Sequence, residues 1–157
     1  MAGSTVADKV FEVVRTGDLE ALQWLTAANR RLLNARSGRW PGLSPLALAL
    51  ISGQGEVAGY LIEHGASTTR GASHHATLLH IAASSNLAGA AELLIRRGSS
   101  VNARNVEKET PLHHAARAGA VQAGTVLVEY GADVDALDCG GISARYSWLP
   151  MAATESS

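Results

Sequence analysis

The sequence predicts an all-α repeat protein: a solenoid of helix-turn-helix units joined by β-hairpin fingers. An N-terminal capping helix pair, about three full repeats and a truncated C-terminal cap account for its length. Composition is the first observation behind this. The 157 residues include 28 Ala and 19 Leu but only 4% aromatics, which suits close-packed helices and leaves little β-branched or aromatic material for sheets. Periodicity is the second. Ser44-Pro45-Leu46, Thr77-Leu78-Leu79-His80 and Thr110-Pro111-Leu112-His113 start 33 residues apart, and a further 33 lands on Ser143-Ala144. Gly65, Gly98 and Gly131 keep the same spacing, as do Gly53, Asn86 and Gly119. A fixed period of this length marks a stacked array.

The elements follow in order. Thr5-x-x-Asp8 forms a capping box ahead of a first helix, Val6–Arg15. Gly17-Asp18 breaks the chain before a second helix, Leu19–Ala27. The link Asn29–Leu43 is three residues longer than its later counterparts. The unit at 105–137 shows the local logic best. Thr110 is an N-cap whose hydroxyl accepts from an orphan backbone N–H, and Pro111 sits where its missing N–H is harmless. Leu112, Ala115 and Ala116 give a short helix stopped at Gly119. A second helix, Val121–Tyr130, ends at Gly131, a residue suited to a left-handed cap. Ala132–Leu137 then runs extended to a turn at Gly140-Gly141. One such unit buries nothing by itself and must stack. Only one helix, Ser143–Leu149, fits before Pro150, so residues 1–149 are expected to form the repeat domain and 150–157 a flexible polar tail.

The stretches TPLHHAARAG…LVEYGADVDA and TLLHIAASSN…LLIRRGSSVNA resemble ankyrin repeats, over roughly residues 6–149. The resemblance implies paired antiparallel helices with fingers projecting at about a right angle. It also implies that the His of each TxLH motif, His80 and His113, bonds its cap residue, Thr77 or Thr110, and a neighbouring finger. Departures from the pattern are expected to matter. The finger-turn glycine is kept at Gly42 and Gly141 but is His75 and Lys108 in between, where a left-handed backbone strains a side chain. Gly59, Gly89 and Gly124 lie inside second helices at about 1 kcal/mol each relative to Ala. Gly124→Ala is therefore expected to raise the melting temperature of a loosely stabilised array.

Chemistry finds little support in the residues. Gly53-Gln54-Gly55-Glu56-Val57-Ala58 has the G-x-G-x-x-A form of a dinucleotide-binding turn, yet Gly53 is already explained by the repeat and no second βαβ half follows. His74, His75 and His80 invite zinc. His80, however, has the repeat role, and the one thiol, Cys139, is two fingers away, leaving too few converging ligands. No G-x-S-x-G elbow exists, and neither lysine follows a glycine as in a P-loop. No enzyme, cofactor or metal is expected. The net charge of −1 and pI of about 6.6 argue against a nucleic-acid surface. No run reaches the roughly 18 apolar residues of a membrane span. A single cysteine and the lack of a glycosylation sequon point to an intracellular protein, cytoplasmic or nuclear.

The residues that the repeat does not need are then informative. In the resembling family, finger tips and the exposed side of the first helices line a concave face. Register places there Arg39, Trp40, Leu43, Ile51 and Ser52 from the first full repeat. Ser73, His74, His75, Ala76, Ser84 and Ser85 follow from the second. Val106, Glu107, Lys108, Glu109, Arg117 and Ala118 come from the third, and Cys139 and Ile142 from the last finger. Such a mixed strip suits a protein or peptide partner, bound by an adaptor or inhibitory scaffold that is monomeric on its own. A cap or fragment of a larger polypeptide is the alternative, drawn from the incomplete last unit with Tyr146, Trp148 and Leu149. Trp40 with Arg39 is the expected hot spot, Trp and Arg being enriched among such residues. The competing role for Trp40 is a lid over the N-terminal helix pair.

Overall fold

The structure, a computed structural model, describes residues 5–69, 76–145 and 148. Eight α-helices lie among them: α1 Val6–Thr16, α2 Leu19–Ala28, α3 Pro45–Ile51, α4 Gly55–Glu63, α5 Leu78–Ser84, α6 Ala88–Arg96, α7 Pro111–Ala118 and α8 Val121–Glu129. They form four antiparallel pairs. The first helices α1, α3, α5 and α7 pack in sequence on one another, and α4, α6 and α8 stack behind them. Two helical layers result. The expected tail at 150–157, and Tyr146 and Leu149, lie outside the described residues.

Each first helix begins on a side-chain cap. Thr5, Ser44, Thr77 and Thr110 accept from the N–H three residues on, and Pro45 and Pro111 occupy the first helical turn. Between paired helices the chain turns through a left-handed residue: Gly17, Gly53, Asn86 or Gly119. Asn86 is the one without glycine's freedom, with φ at +55°. Its amide explains the exception. Oδ1 accepts from the Ala123 N–H at 3.0 Å and Nδ2 donates to Gln122 Oε1 at 2.7 Å, so the strained residue caps the next repeat's second helix.

The core explains the composition. Pro45 through Leu50 of α3 are all buried, as are Ala82, Ala83, Ala115 and Ala116 of α5 and α7. Helices buried on most faces need small residues where they touch and large ones in the gaps. Leu46, Leu50, Leu78, Leu79, Leu112 and Leu127 fill those gaps and are under 2% exposed. Fully burying a Leu is worth roughly 1.5–3 kcal/mol, so these interlocking positions dominate the stability of the stack.

The described fingers are tight turns rather than ribbons. Among the described residues the only β pairing is an isolated antiparallel bridge, Leu137 to Ser143. Lys108 does take the left-handed conformation, at φ +62°, without altering its turn. Asn105 Oδ1 accepts from the N–H groups of Glu107 and Glu109, both at 2.9 Å. Asp138 holds Gly140 and Ile142 in the same way, at 2.8 and 2.9 Å. A carboxamide at the turn's first position thus supports locally what glycine makes easy in the last finger.

The long N-terminal link folds back. A 3₁₀ turn, Arg30–Asn34, starts on the Asn29 side chain. Beyond it Trp40 stacks on the buried Phe11 of α1, with ring centroids 5.4 Å apart and planes 8° from parallel. Arg39 lies over the Trp40 ring at 5.0 Å and pairs with Glu12 at 3.2 Å. The Ser37 hydroxyl bonds Asp8.

Gly124 overturns the expectation drawn from helix propensity. A Cβ there would fall on the ring of Trp148, which is 3% exposed. Gly89, in the equivalent layer, has nothing within 4 Å of its would-be Cβ. Gly124→Ala is therefore expected to lower the melting temperature and Gly89→Ala to raise it, the second change adding about 0.5–1 kcal/mol of stability. Thermal denaturation of the two variants checks the opposite signs.

Candidate functional site: the concave groove

A cleft of about 770 Å³ opens between the finger tips and the first helices. Its lining includes Ile51, at the end of α3, and Val106, at the third finger's tip; they are 55% and 62% exposed. Ile81 and the small residues Ala76 and Ala118 extend this apolar surface. Ser84 and Ser85 end α5 within it, and Glu107, Glu109, His114 and Arg117 supply its titratable groups.

Beneath the groove the first helices are tied together by two histidines. His80 Nδ1 accepts from the Thr77 backbone N–H at 3.1 Å, and its Nε2–H donates to the Glu109 carbonyl at 2.9 Å. His113 repeats both bonds, to Thr110 at 3.0 Å and to the Ile142 carbonyl at 3.0 Å. Each ring therefore has the Nε2–H tautomer, and each joins one helix start to the finger of the following unit. His80 is fully buried. Burial pulls its pKa below the ordinary value, the bond to the Glu109 carbonyl opposing only in part.

Glu109 organises the groove floor. Its side chain is 10% exposed, and both oxygens are engaged. Oε1 accepts from Arg117 at 2.6 Å; Oε2 accepts from His114 Nε2–H and from the Asn105 amide, both at 3.0 Å. Burial pushes this carboxyl's pKa up, but Asn105, Arg117 and His114 more than offset it and leave it below the ordinary range. His114 is half-buried and stands edge-on to His80, ring centroids 4.9 Å apart. Burial also lowers its pKa, against the pull of the Glu109 carboxylate. Among the described residues no cluster of three His, Cys, Asp or Glu side chains is arranged to hold a metal ion. Nor is any described helix long and apolar enough to cross a membrane.

With this geometry in place, comparison with known families is decisive. The profile described as ankyrin repeats (3 copies) matches residues 10–105 and 71–138. The chain belongs to the ankyrin-repeat family. No curated protein matches it.

Within this ankyrin array the sequence-derived strip divides. Ile51, Ser84, Ser85, Val106, Glu107, Glu109 and Arg117 meet in one cleft. Arg39, Trp40 and Leu43 do not: they belong to the folded-back link, where Trp40 and Leu43 border a separate hollow of about 560 Å³. Trp40 is half-buried and stacks on Phe11, the placement expected of a lid, and Arg39 is held by Glu12 and Trp40. Glu109, expected among the exposed tip residues, is buried and forms a bridge. Lys108 is exposed on the outside of its turn. Ser73, His74 and His75 lie outside the described residues.

Sequence reasoning missed Ile81, Asn105 and His114. The first and last had a signal. Ile81 and His114 each precede by three residues a position assigned to the groove, Ser84 and Arg117, and such pairs share one helix face.

Two expectations follow. Trp40→Ala should cost about 2 kcal/mol of stability, toward half the usual penalty for a fully buried Trp, while a folded variant keeps its groove; denaturant titration measures this. The second concerns acid. His80 and His114 have folded pKa values below their unfolded value of about 6.5, so the unfolded chain takes up more protons. Their stabilising contribution is complete above that value and declines as pH falls through it. The melting temperature should fall from pH 7 to pH 5, with a shallower slope in His114→Gln. A flat wild-type profile refutes the assignment.

Proposed function

We propose that this chain is a non-enzymatic interaction module, an adaptor or regulatory scaffold that is monomeric alone and binds a partner protein or peptide in the concave groove. Ankyrin repeats are generally protein–protein interaction modules, and the groove gives the reading its local content. The observation that carries it is the exposure of Ile51 and Val106 in the lining of one cleft. Two large β-branched side chains left in water in one cleft gain roughly 25 cal/mol for each Å² a partner covers. The polar groups between them are already ordered by Glu109, so a partner meets side chains whose freedom was lost on folding.

The same ordering disfavours catalysis. The groove's imidazole donates to the Glu109 carboxylate, and that carboxylate also accepts from Arg117 and Asn105. An acid or base for chemistry must instead be free to meet a substrate proton.

Photo-crosslinking tests the face used. With p-benzoylphenylalanine in place of Val106, the expected result is a discrete crosslinked partner in cells. The same group in place of Glu129, at the end of α8, should give none. Crosslinking from position 129 alone would move the interface to the opposite layer. In addition, Val106→Asp should weaken partner binding tenfold or more without lowering the melting temperature.

A further inference from the structure

Resting on the groove reading above, we infer that the groove's occupant is a mainly apolar peptide segment carrying one basic side chain, whose cation meets the Glu107 carboxylate. The groove has already matched most of its own charges. Arg117 and Glu109 neutralise each other at 2.6 Å. His114 gives its Nε2–H to the same carboxylate. Glu107 is different: its carboxylate makes no hydrogen bond or ion pair among the described residues. The described lining groups thus sum to one uncompensated negative charge, and a partner's cation finds a counter-charge where a partner's anion does not.

Glu107 is also held in place. Its N–H donates to Asn105 Oδ1 at 2.9 Å, and its carbonyl accepts from the Cys139 N–H of the next finger at 2.8 Å. A tip fixed by its own turn and by its neighbour holds the Glu107 backbone in place in the cleft lining. Little backbone ordering is then required when a ligand arrives. Beside it Val106 offers an apolar contact, and Ile51 lines the same cleft. A segment that covers both while reaching Glu107 is apolar along most of its length and basic at one position. The burial of His114 supports the balance at neutral pH, since its lowered pKa keeps a second cation out of the groove.

A random dodecapeptide phage library, selected on the immobilised full chain with Val106→Asp as the counter-selection bait, tests this directly. The expected result is enrichment of apolar sequences with one Lys or Arg. A synthetic copy of a selected peptide should lose about two- to fivefold in affinity for Glu107→Gln, the scale of a partly exposed ion pair. It should lose more for Glu107→Lys, against which a Lys-to-Glu copy of the peptide should regain binding. Peptides that discriminate against Val106→Asp but are acidic or show no charge preference would overturn the inference and leave the groove reading standing. Selected peptides that bind wild type and Val106→Asp alike would overturn both.

Discussion

The bond from a histidine Nε2–H to a carbonyl of the following finger is the contact on which the array depends. In His80 and His113 one imidazole does two jobs that a helix start and a loop would otherwise leave undone. Nδ1 satisfies the cap residue's N–H, and Nε2–H satisfies a carbonyl that a finger turn exposes. Burying either group unpaired would cost about 1–3 kcal/mol. Because the two ring nitrogens point to different units, the saving is realised only when units are stacked. Among the described residues no buried side-chain polar atom lacks a partner. The bond also fixes where Glu109 sits, since its carbonyl takes His80 while its carboxylate turns toward the groove. Structural stitch and groove floor share one residue.

Close approach of the first helices is the second constraint. Ala82, Ala83, Ala115 and Ala116 are buried between neighbours, and larger side chains there would separate the stack and lengthen the histidine bonds. Gly124 shows the same rule at the C-terminal edge. The missing methyl that weakens α8 as an isolated helix is the space Trp148 occupies. Local propensity and tertiary packing disagree at this position, and packing of a large buried ring outweighs a propensity difference of about 1 kcal/mol.

What the sequence revealed follows from what was periodic. The helix pairs, the capping residues and the left-handed turn positions recur every 33 residues, so each was supported by several copies. Asn86 could be placed among glycines for that reason. The link at 29–43 has no second copy, and register alone put Trp40 on the concave side. Its actual partner, Phe11, lies 29 residues earlier in a unit with no TxLH motif, a contact that no repeat offset indicates. Glu109 failed differently. Its position was correct, but its role depends on Asn105, His114 and Arg117 converging from a turn and a helix, and that convergence is three-dimensional. Gly124 failed because a helix-interior glycine reads as a defect until its neighbour is seen.

On the proposed reading, the buried bridge at Glu109 determines what kind of recognition the groove would perform. A carboxylate left free at the centre of the cleft would repel any acidic partner and attract any basic one, a long-range and salt-sensitive preference. Matched by Arg117 and two neutral donors, it contributes shape and hydrogen-bond order instead of net charge. Discrimination then falls to the rim, where Glu107 meets solvent and salt, and to the apolar contacts at Ile51 and Val106, which salt hardly weakens. A partner selected by this arrangement is held mainly by covered apolar area and sorted by one charge. Truncating that charge should change selectivity more than it changes the stability of the array, because the tip's backbone bonds, rather than its carboxylate, hold the finger.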